Sequence, residues 1–150
     1  SIGFNKMIKV ANKNDSKTLA HMARKIWGND SVEELEKEFD EFVSNPEMAS
    51  FIKYVDEKPV GFANVSIRYD YVEGCETSPV GYLEGIYVED CYRNNNFARE
   101  LVIACEDWVK NKGIKEFASD CELSNLGSLA FHLAIGFSEA NRIICFKKDI

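Results

Sequence analysis

The chain has 150 residues, 45% of them hydrophobic, which is enough for one ordinary domain that builds its own core without disulfide bonds. Its formal net charge of −7 argues against a nucleic-acid-binding or anionic-membrane surface and allows a cationic ligand. Five cysteines, an odd number with no C-x-x-C pair, predict reduced thiols in a cytoplasmic protein, and the sequence shows neither a membrane helix nor a signal-peptide pattern. We therefore expect a single soluble domain over residues 1–150.

The N-terminal third predicts one strand and two helices. Residues 7–11 (MIKVA) have the composition of a short strand, and residues 14–16 (NDS) offer N-caps for a helix whose apolar residues keep helical spacing as far as Trp27. Residues 31–34 (SVEE) form a capping box that opens a second helix, and an Asn-Pro pair at 45–46 ends it.

The rest of the chain predicts strands around two further helices. Strands are expected at residues 49–55, 60–71, 80–88, 115–119 and 143–148, and helices at residues 96–112 and 125–134. The strand over residues 80–88 is apolar apart from Glu84 and Gly85, and a glycine inside a strand often marks a β-bulge. The order β-α-α-β-β-β-α-β-α-β predicts a mixed α/β (α+β) fold.

The junction after this strand reads YRNNNFA and is the most informative segment of the chain. The free amides of a helix's first turn, together with the helix dipole, make such a junction a candidate phosphate-binding site. Asparagine tolerates left-handed backbone angles better than most residues and is also a good N-cap. The alternative is that the three asparagines form only a turn and a cap.

Two motifs resemble the GNAT acyltransferases, which use acetyl-CoA. Their signature Q/R-x-x-G-x-G/A corresponds to RNNNFA at residues 93–98, and their later asparagine, helix and Gly-Phe correspond to Asn125 and the pair at 136–137. The strings SIRYDYVEG, ETSPVGYLEGIYV, EFASD and FHLAIGF are similar to the aminoglycoside 6'-N-acetyltransferase branch. This resemblance implies the GNAT fold, in which helices flank a central mixed, mostly antiparallel sheet with splayed strands. It also implies acetyl-CoA as co-substrate and no metal.

The resemblance further implies how the cofactor is held. In the family, backbone amides of the loop hold the pyrophosphate, and the acetyl-pantetheine arm pairs with a strand beside a bulge, which Gly85 fits. Asn96 departs from the family pattern, which has a glycine in this loop. The cofactor-binding residues implied are Ile86, Tyr87, Val88, Arg93, Asn94, Asn95, Asn96, Phe97, Ala98, Arg99 and Asn125.

Two carboxylates are the predicted catalytic groups. Acetyl transfer needs a deprotonated amine, and Asp120 and Glu84 lie on or at the end of strands that the fold places beside the cofactor cleft. Both are expected to attract the protonated amine and to help remove its proton, directly or through water. As alternatives, Glu84 forms an ion pair with Arg68 or Arg93, and Asp120 begins a turn.

His132 is the third candidate catalytic residue. It lies seven residues after Asn125, where many GNAT enzymes have a tyrosine that protonates the departing thiolate. A structural hydrogen-bonding role on the helix is the alternative, and the thiolate can also leave into solvent. A covalent cysteine route is not favoured, because no cysteine has a neighbouring group that clearly lowers its pKa. The substrate-binding residues implied are Trp27, Asp30, Tyr71, Glu84, Asp120 and Asn141, with a weaker claim for Glu76.

These observations predict an aminoglycoside 6'-N-acetyltransferase that transfers acetyl directly in a ternary complex. Its ligand would be a cationic small molecule, and neither nucleic acid nor a membrane is an expected partner. The resemblance also implies a homodimer, with strand exchange near the C-terminus. One alternative is an acetyltransferase for another small amine, a polyamine or a peptide N-terminus, and another is a non-catalytic acyl-CoA-binding module. The preferred aminoglycosides and the role in antibiotic resistance stay open.

Overall fold

A five-stranded sheet forms the centre of the computed structural model, which describes residues 6–150. The strands lie in chain order across the sheet; the first four are antiparallel to one another, and the last is parallel to its neighbour. This confirms the predicted mixed, mostly antiparallel sheet. The strands are β1 (Lys6–Val10), β2 (Met48–Val55), β3 (Lys58–Arg68), β4 (Val80–Val88) and β5 (Phe117–Ala118).

Helices cover the two faces of this sheet. Adjacent residues of a strand point to opposite faces, and accordingly Phe62 belongs to the cluster under the first two helices, whereas Ala63 belongs to the cluster under the third. In the described part of the chain, none of the helices is both long and apolar enough to span a membrane. The helices are α1 (Ser16–Ala23), α2 (Val32–Ser44), α3 (Phe97–Asn111) and α4 (Leu126–Ala134).

Local sequence signals located several elements correctly. The predicted strand at residues 80–88 matches β4, and α2 begins with the expected capping box, in which the Glu34 amide donates to Ser31 Oγ at 3.1 Å and Glu34 Oε2 accepts from the Ser31 amide at 3.2 Å. Helix α1 is shorter than predicted, since it ends at Ala23 instead of continuing to Trp27. The chain turns there and brings the Trp27 indole against Gly85 of β4, a long-range contact that helical periodicity does not contain.

The predicted final strand at residues 143–148 is wrong for the single chain. This segment has no regular secondary structure and is exposed throughout, with Ile144 79% and Phe146 90% accessible. A strand needs a neighbour to satisfy its backbone groups, and none of β1 to β5 pairs with it. The predicted strand at residues 60–71 also stops earlier, at Arg68.

The fold opens a gap along β4. This strand pairs with β3 from Val80 to Val88, but with β5 only at Gly81 and Tyr82. Among residues 6–150, no strand therefore covers the other edge of β4 beyond that point. The register against β3 also shifts: Gly85 opposes Asn64 and Leu83 opposes Val65, so residue 84 is the extra residue of a β-bulge. The bulge and the short pairing with β5 leave part of β4 without a second neighbouring strand among residues 6–150.

Candidate active site

Two asparagines give the loop before α3 a glycine-like backbone. Asn94 and Asn96 have φ of 66° and 64°, in the left-handed region that few residues other than glycine adopt easily. Asn96 caps α3 without a side-chain hydrogen bond, while Asn95 Nδ2 donates to the carbonyls of Tyr92 and Arg93 at 3.0 and 3.2 Å. We call residues 93–96 the asparagine loop. These φ values are ones that glycine adopts without strain.

The asparagine loop and the first turn of α3 contain unpaired backbone amides. Among residues 6–150, no acceptor is found for the backbone N–H of Asn95, Asn96, Ala98 or Arg99. The N-terminus of the 15-residue helix α3 adds its positive dipole end at the same place. Arg93 fixes the loop to the end of β4, because its Nε donates to the Val88 carbonyl at 3.1 Å. This combination fits a pyrophosphate.

The gap between β4 and β5 leads away from this loop. At its narrow end, Ser119 Oγ lies 3.4 Å from the Leu83 carbonyl oxygen. Ile86, Tyr87 and Val88 have one backbone edge facing the gap, as the predicted pairing with a pantetheine arm requires. Asn125 caps α4 by accepting from the Ser128 amide at 3.0 Å, so its alternative role as a cap is present in the structure.

The two predicted catalytic carboxylates are connected by hydrogen bonds, one ion pair and one cation–π contact. Glu84 accepts from Ser66 Oγ at 2.9 Å and, in a bidentate ion pair, from Arg68 Nε at 2.8 Å and Nη2 at 2.9 Å. The Arg68 guanidinium lies 3.4 Å from the centre of the Tyr82 ring, and the Tyr82 hydroxyl donates to Asp120. The structure therefore brings Glu84 and Asp120 into one network.

The two carboxylates differ in their surroundings. Arg68 neutralises the charge of Glu84, so the ion pair proposed as its structural alternative exists. Asp120 is exposed and has the Tyr82 hydroxyl as its donor. Burial, and after it the hydrogen bond to Asp120, raises the pKa of Tyr82, so the tyrosine keeps its proton and continues to donate. Asp120 therefore differs from Glu84 in having a neutral hydroxyl, and not a guanidinium, as its hydrogen-bond donor.

A cavity of about 210 Å³ adjoins Glu84 on the α1 and α2 side of the sheet. We call it the aromatic pocket; its lining residues are Trp27, Glu38, Phe39, Phe42, Asn64 and Glu84. Gly85 makes room for the indole, because a Cβ atom at this position would lie 2.9 Å from two Trp27 ring carbons. Aromatic walls beside carboxylates suit a cationic sugar.

Four predicted substrate residues do not line the aromatic pocket: Asp120, which binds Tyr82, and Asp30, Tyr71 and Asn141. Asp30 lies in the loop after Trp27, and Tyr71 is 77% exposed beyond the end of β3. Asn141 Nδ2 donates to Glu73 Oε1 at 2.7 Å, which joins the C-terminal segment to the loop before β4. The backbone amide of Glu76 donates to Glu116, and this contact orders the same loop.

Both ring nitrogens of His132 have partners. Nδ1 lies 2.7 Å from the Ser128 carbonyl oxygen, which can only accept, so Nδ1 carries a hydrogen. Nε2 lies 2.8 Å from Ser119 Oγ, which then donates to it in the neutral ring. The imidazole therefore links α4 to the end of β5, where β4 and β5 separate.

The cysteines offer no suitable nucleophile in the core. Burial raises the pKa of Cys105 from 9.0 to about 12, and burial with Glu116 nearby raises the pKa of Cys75. All five cysteines are free thiols. Within residues 6–150, no group of three or more His, Cys, Asp or Glu side chains could hold a metal ion.

Sequence reasoning missed several residues of this site. Tyr82 was not considered, although it precedes Glu84 by two positions and so projects from the same side of a regular strand. Asn64 and Ser66 interrupt an otherwise apolar stretch of β3, and buried polar residues in a core strand are themselves a signal. Helix α2 was predicted from its apolar stripe, but that stripe gave no indication that Phe39 and Phe42 face a cavity.

Comparisons with known proteins identify the family and the fold. The acetyltransferase (GNAT) family pattern matches residues 17–137. The chain is 36% identical over 141 residues to the aminoglycoside N(6')-acetyltransferase type 1 of Salmonella enteritidis, which covers 94% of this chain and 97% of the relative. It is 38% identical over 126 residues to the Serratia marcescens protein of the same name, covering 83% of this chain and 86% of that protein.

Solved structures show the same fold. An aminoglycoside N-acetyltransferase, AAC(6')-Iy, in complex with CoA superposes with a TM-score of 0.95 at 35% identity, over 99% of this chain and 97% of that one. The same protein in complex with the bisubstrate analogue CoA-S-monomethyl-acetylneamine gives a TM-score of 0.93 at 35% identity, over 97% of this chain and 99% of that one. The GNAT fold expected from the sequence is confirmed.

Proposed function

The chain belongs to the acetyltransferase (GNAT) family, and from this premise we propose that it is an aminoglycoside 6'-N-acetyltransferase with acetyl-CoA as co-substrate. The observation that supports this most is the meeting of two features at β4. The aromatic pocket, which suits a cationic sugar, lies at the β-bulge, and the uncovered edge of β4 continues from the same place to the asparagine loop. The relatives reported above have this activity in their names.

The residues at the asparagine loop and along β4 fit the cofactor. The unpaired amides of Asn95, Asn96, Ala98 and Arg99 would bind the pyrophosphate, and the free edge of β4 at residues 86–88 would pair with the pantetheine arm. When bound, acetyl-CoA supplies an acetyl group activated as a thioester. The remaining chemistry belongs to the residues around Glu84 and Asp120.

Asp120 is proposed as the group that takes the amine's proton, directly or through water. It is exposed, and it receives one hydrogen bond from Tyr82, which orients the carboxylate. Glu84, which the ion pair with Arg68 holds in place at the wall of the aromatic pocket, accepts a hydrogen bond from the cationic substrate and so orients it. Because both binding regions meet at β4, the amine can attack the acetyl carbon directly in a ternary complex, without an acyl-enzyme.

His132 is proposed as a positioning residue of the gap between β4 and β5. Its Nδ1 hydrogen is bound to the Ser128 carbonyl and its Nε2 to Ser119, so neither nitrogen points freely toward a leaving group. The thiolate would then take its proton from solvent. Trp27 is the strongest of the predicted aromatic substrate contacts, and Asp30, Tyr71 and Asn141 are proposed only as contacts to the distant rings of a large aminoglycoside.

We also propose that the protein is a cytoplasmic homodimer. Ile144 and Phe146 are 79% and 90% exposed in a segment whose composition predicts a strand. A strand edge of a second copy would pair with the backbone of this segment and cover its apolar side chains. The five free thiols support a reducing compartment. Light scattering of the purified chain should give twice the monomer mass, and an Ile144→Ser/Phe146→Ser variant should shift toward monomer; a monomeric wild type would contradict this assembly.

An acetyltransferase for a different acceptor substrate is the main alternative to the proposed function. Spermidine or a peptide N-terminus would use the same cofactor residues, since the fold hosts many acceptors. A non-catalytic acyl-CoA-binding module is a further alternative. The aromatic pocket argues against it, because a module that binds only acyl-CoA needs no site for a second, cationic ligand.

Thiol release from acetyl-CoA tests the proposal. Wild-type protein is assayed with kanamycin B, with spermidine and with a short peptide, each across a range of concentrations. We expect turnover with kanamycin B and little with the other two acceptors. Turnover only with spermidine or the peptide would replace the proposed substrate, and CoA binding without any turnover would favour the binding module.

A further inference from the structure

A buried pair of polar side chains lies on β2 and β3, under the aromatic pocket. Ser50 is 0% exposed and Asn64 is 4% exposed. The Ser50 hydroxyl donates to Asn64 Oδ1 at 2.7 Å. Burying two polar side chains in the sheet is unfavourable unless their hydrogen-bonding groups are used.

Ser50 fixes the orientation of the Asn64 amide. If the amide were rotated by half a turn, its Nδ2 would face the serine, and the Ser50 O–H would have no acceptor in the part of the chain that the structure describes. An unsatisfied buried hydroxyl is costly, so the serine holds Oδ1 against itself. The Nδ2 group consequently points toward the aromatic pocket, which Asn64 helps to line.

The Nδ2 group has no acceptor among residues 6–150. It lies in a cavity whose charged side chains, Glu38 and Glu84, are carboxylates and therefore acceptors. The aromatic pocket thus places the Asn64 donor beside acceptors. A hydroxyl group satisfies both, because it accepts from the amide and donates to a carboxylate. An ammonium group satisfies only the carboxylates.

We propose that Asn64 is a specificity-determining residue that donates from Nδ2 to a hydroxyl oxygen of the acceptor sugar, and that Ser50 positions it. This rests on the proposed function and deepens it, because it selects hydroxylated amino sugars from among cationic amines. The hydroxyl lies on the ring that bears the reactive aminomethyl group, since Glu84, which orients that cation, lines the same small cavity. A linear polyamine has no oxygen to offer Asn64.

Two acceptors and two variants test this donor. Kanamycin B and 3',4'-dideoxykanamycin B differ only in the two hydroxyls of the ring that bears the 6'-amine. Asn64→Asp keeps the size of the side chain and the Ser50 contact but exchanges the donor for an acceptor. Ser50→Ala/Asn64→Ala removes the pair together, so that no buried group is left unsatisfied. Ser16→Ala is the matched control, because the Ser16 hydroxyl is also buried but has no partner.

The readout is the ratio of kcat/KM for kanamycin B to kcat/KM for the dideoxy compound. Loss of one hydrogen bond should lower this ratio about 3- to 10-fold in both variants and leave it unchanged in Ser16→Ala. A ratio that stays at its wild-type value in Asn64→Asp would overturn the proposal, even if activity on both compounds falls. Absence of wild-type turnover with either compound would instead contradict the proposed function itself.

Discussion

The asparagine loop and the aromatic pocket use opposite parts of the polypeptide. The loop presents backbone amides, and Asn94 and Asn96 adopt left-handed conformations in it. The pocket and the network beside it present side chains, among them Trp27, Glu84 and Asp120. A backbone site tolerates a change of residue type if the φ angle is kept, and this explains how asparagine can replace glycine. A side-chain site has no such freedom.

Removing the Asp120 carboxylate should give the largest effect, and this effect should be confined to the reaction with the acceptor substrate. Asp120→Asn keeps an oxygen for the Tyr82 hydroxyl but loses the proton acceptor. We expect kcat/KM for kanamycin B to fall by about 100-fold or more, with the KM for acetyl-CoA unchanged. Steady-state kinetics with each substrate varied in turn measures both quantities.

Glu122→Gln is the control for this substitution, because it removes an exposed carboxylate two residues away. It should leave both constants at their wild-type values. An equal loss in the two variants would mean that the overall negative charge, and not the position of Asp120, attracts the substrate.

A β-branched residue at position 96 should affect only the cofactor side. Valine at φ 64° is strained by about 1–3 kcal/mol, so Asn96→Val should raise the KM for acetyl-CoA roughly tenfold while kcat changes little. Asn96→Gly keeps the backbone angle accessible and should bind acetyl-CoA at least as tightly as wild type. If Gly and Val weakened binding equally, the asparagine side chain itself would contact the cofactor, and the contrast between the two regions would fail.

Gly85→Ala should move Trp27 and weaken the binding of the acceptor substrate, but not that of acetyl-CoA. The new Cβ atom would lie 2.9 Å from the indole, closer than real contacts allow, so the ring must shift. We expect the KM for kanamycin B to rise roughly 3- to 10-fold, because about 1 kcal/mol of binding free energy from the indole contact is lost. Gly127→Ala, whose Cβ would meet only an ordinary contact at 3.8 Å, should leave this KM unchanged. A rise in the KM for acetyl-CoA would show that the bulge supports both regions.

Alkaline pH should lower the stability of the whole fold, and so affect both regions together, through a buried thiol in α3. Burial raises the pKa of Cys105 from 9.0 to about 12, so the native state keeps a proton that the unfolded chain releases. The contribution of this thiol is complete below about pH 8.5 and declines as pH rises toward about 12, by at most about 1.4 kcal/mol per pH unit. Urea unfolding between about pH 8 and about pH 11 should show a steeper loss for wild type than for Cys105→Ala. Parallel slopes would contradict this.

The asparagine loop was largely predictable because its signals are local. A strand, an arginine, three small polar residues and an amphipathic helix follow one another in RNNNFA, and the amides of a helix's first turn are unpaired in any sequence. The carboxylates Glu84 and Asp120 were also found, one as a charge within an apolar strand and the other at a strand end. The left-handed angle at Asn96 was an open question that the fold answered.

The aromatic pocket was only partly predictable because its parts are far apart in sequence. Trp27 looked like the end of a helix, and only the packing of that helix on the sheet places its indole over Gly85. Tyr82 and Arg68 became part of the network because the β-bulge places Glu84 next to Ser66 and in reach of the Arg68 guanidinium. No local pattern specifies which side chains meet across three strands.

The sequence by itself determined the family, the order of the elements up to α4 and the loop that would bind a phosphate, since each depends on neighbouring residues. Only the tertiary structure decided that Asn64 lines the aromatic pocket with its Oδ1 bound to Ser50, that Asp120 is joined to Glu84 through Tyr82 and Arg68, and that residues 143–148 find no partner strand among residues 6–150. The physical reason is the same in each case: hydrogen bonds and close packing are made between segments whose distance in space the local sequence does not encode.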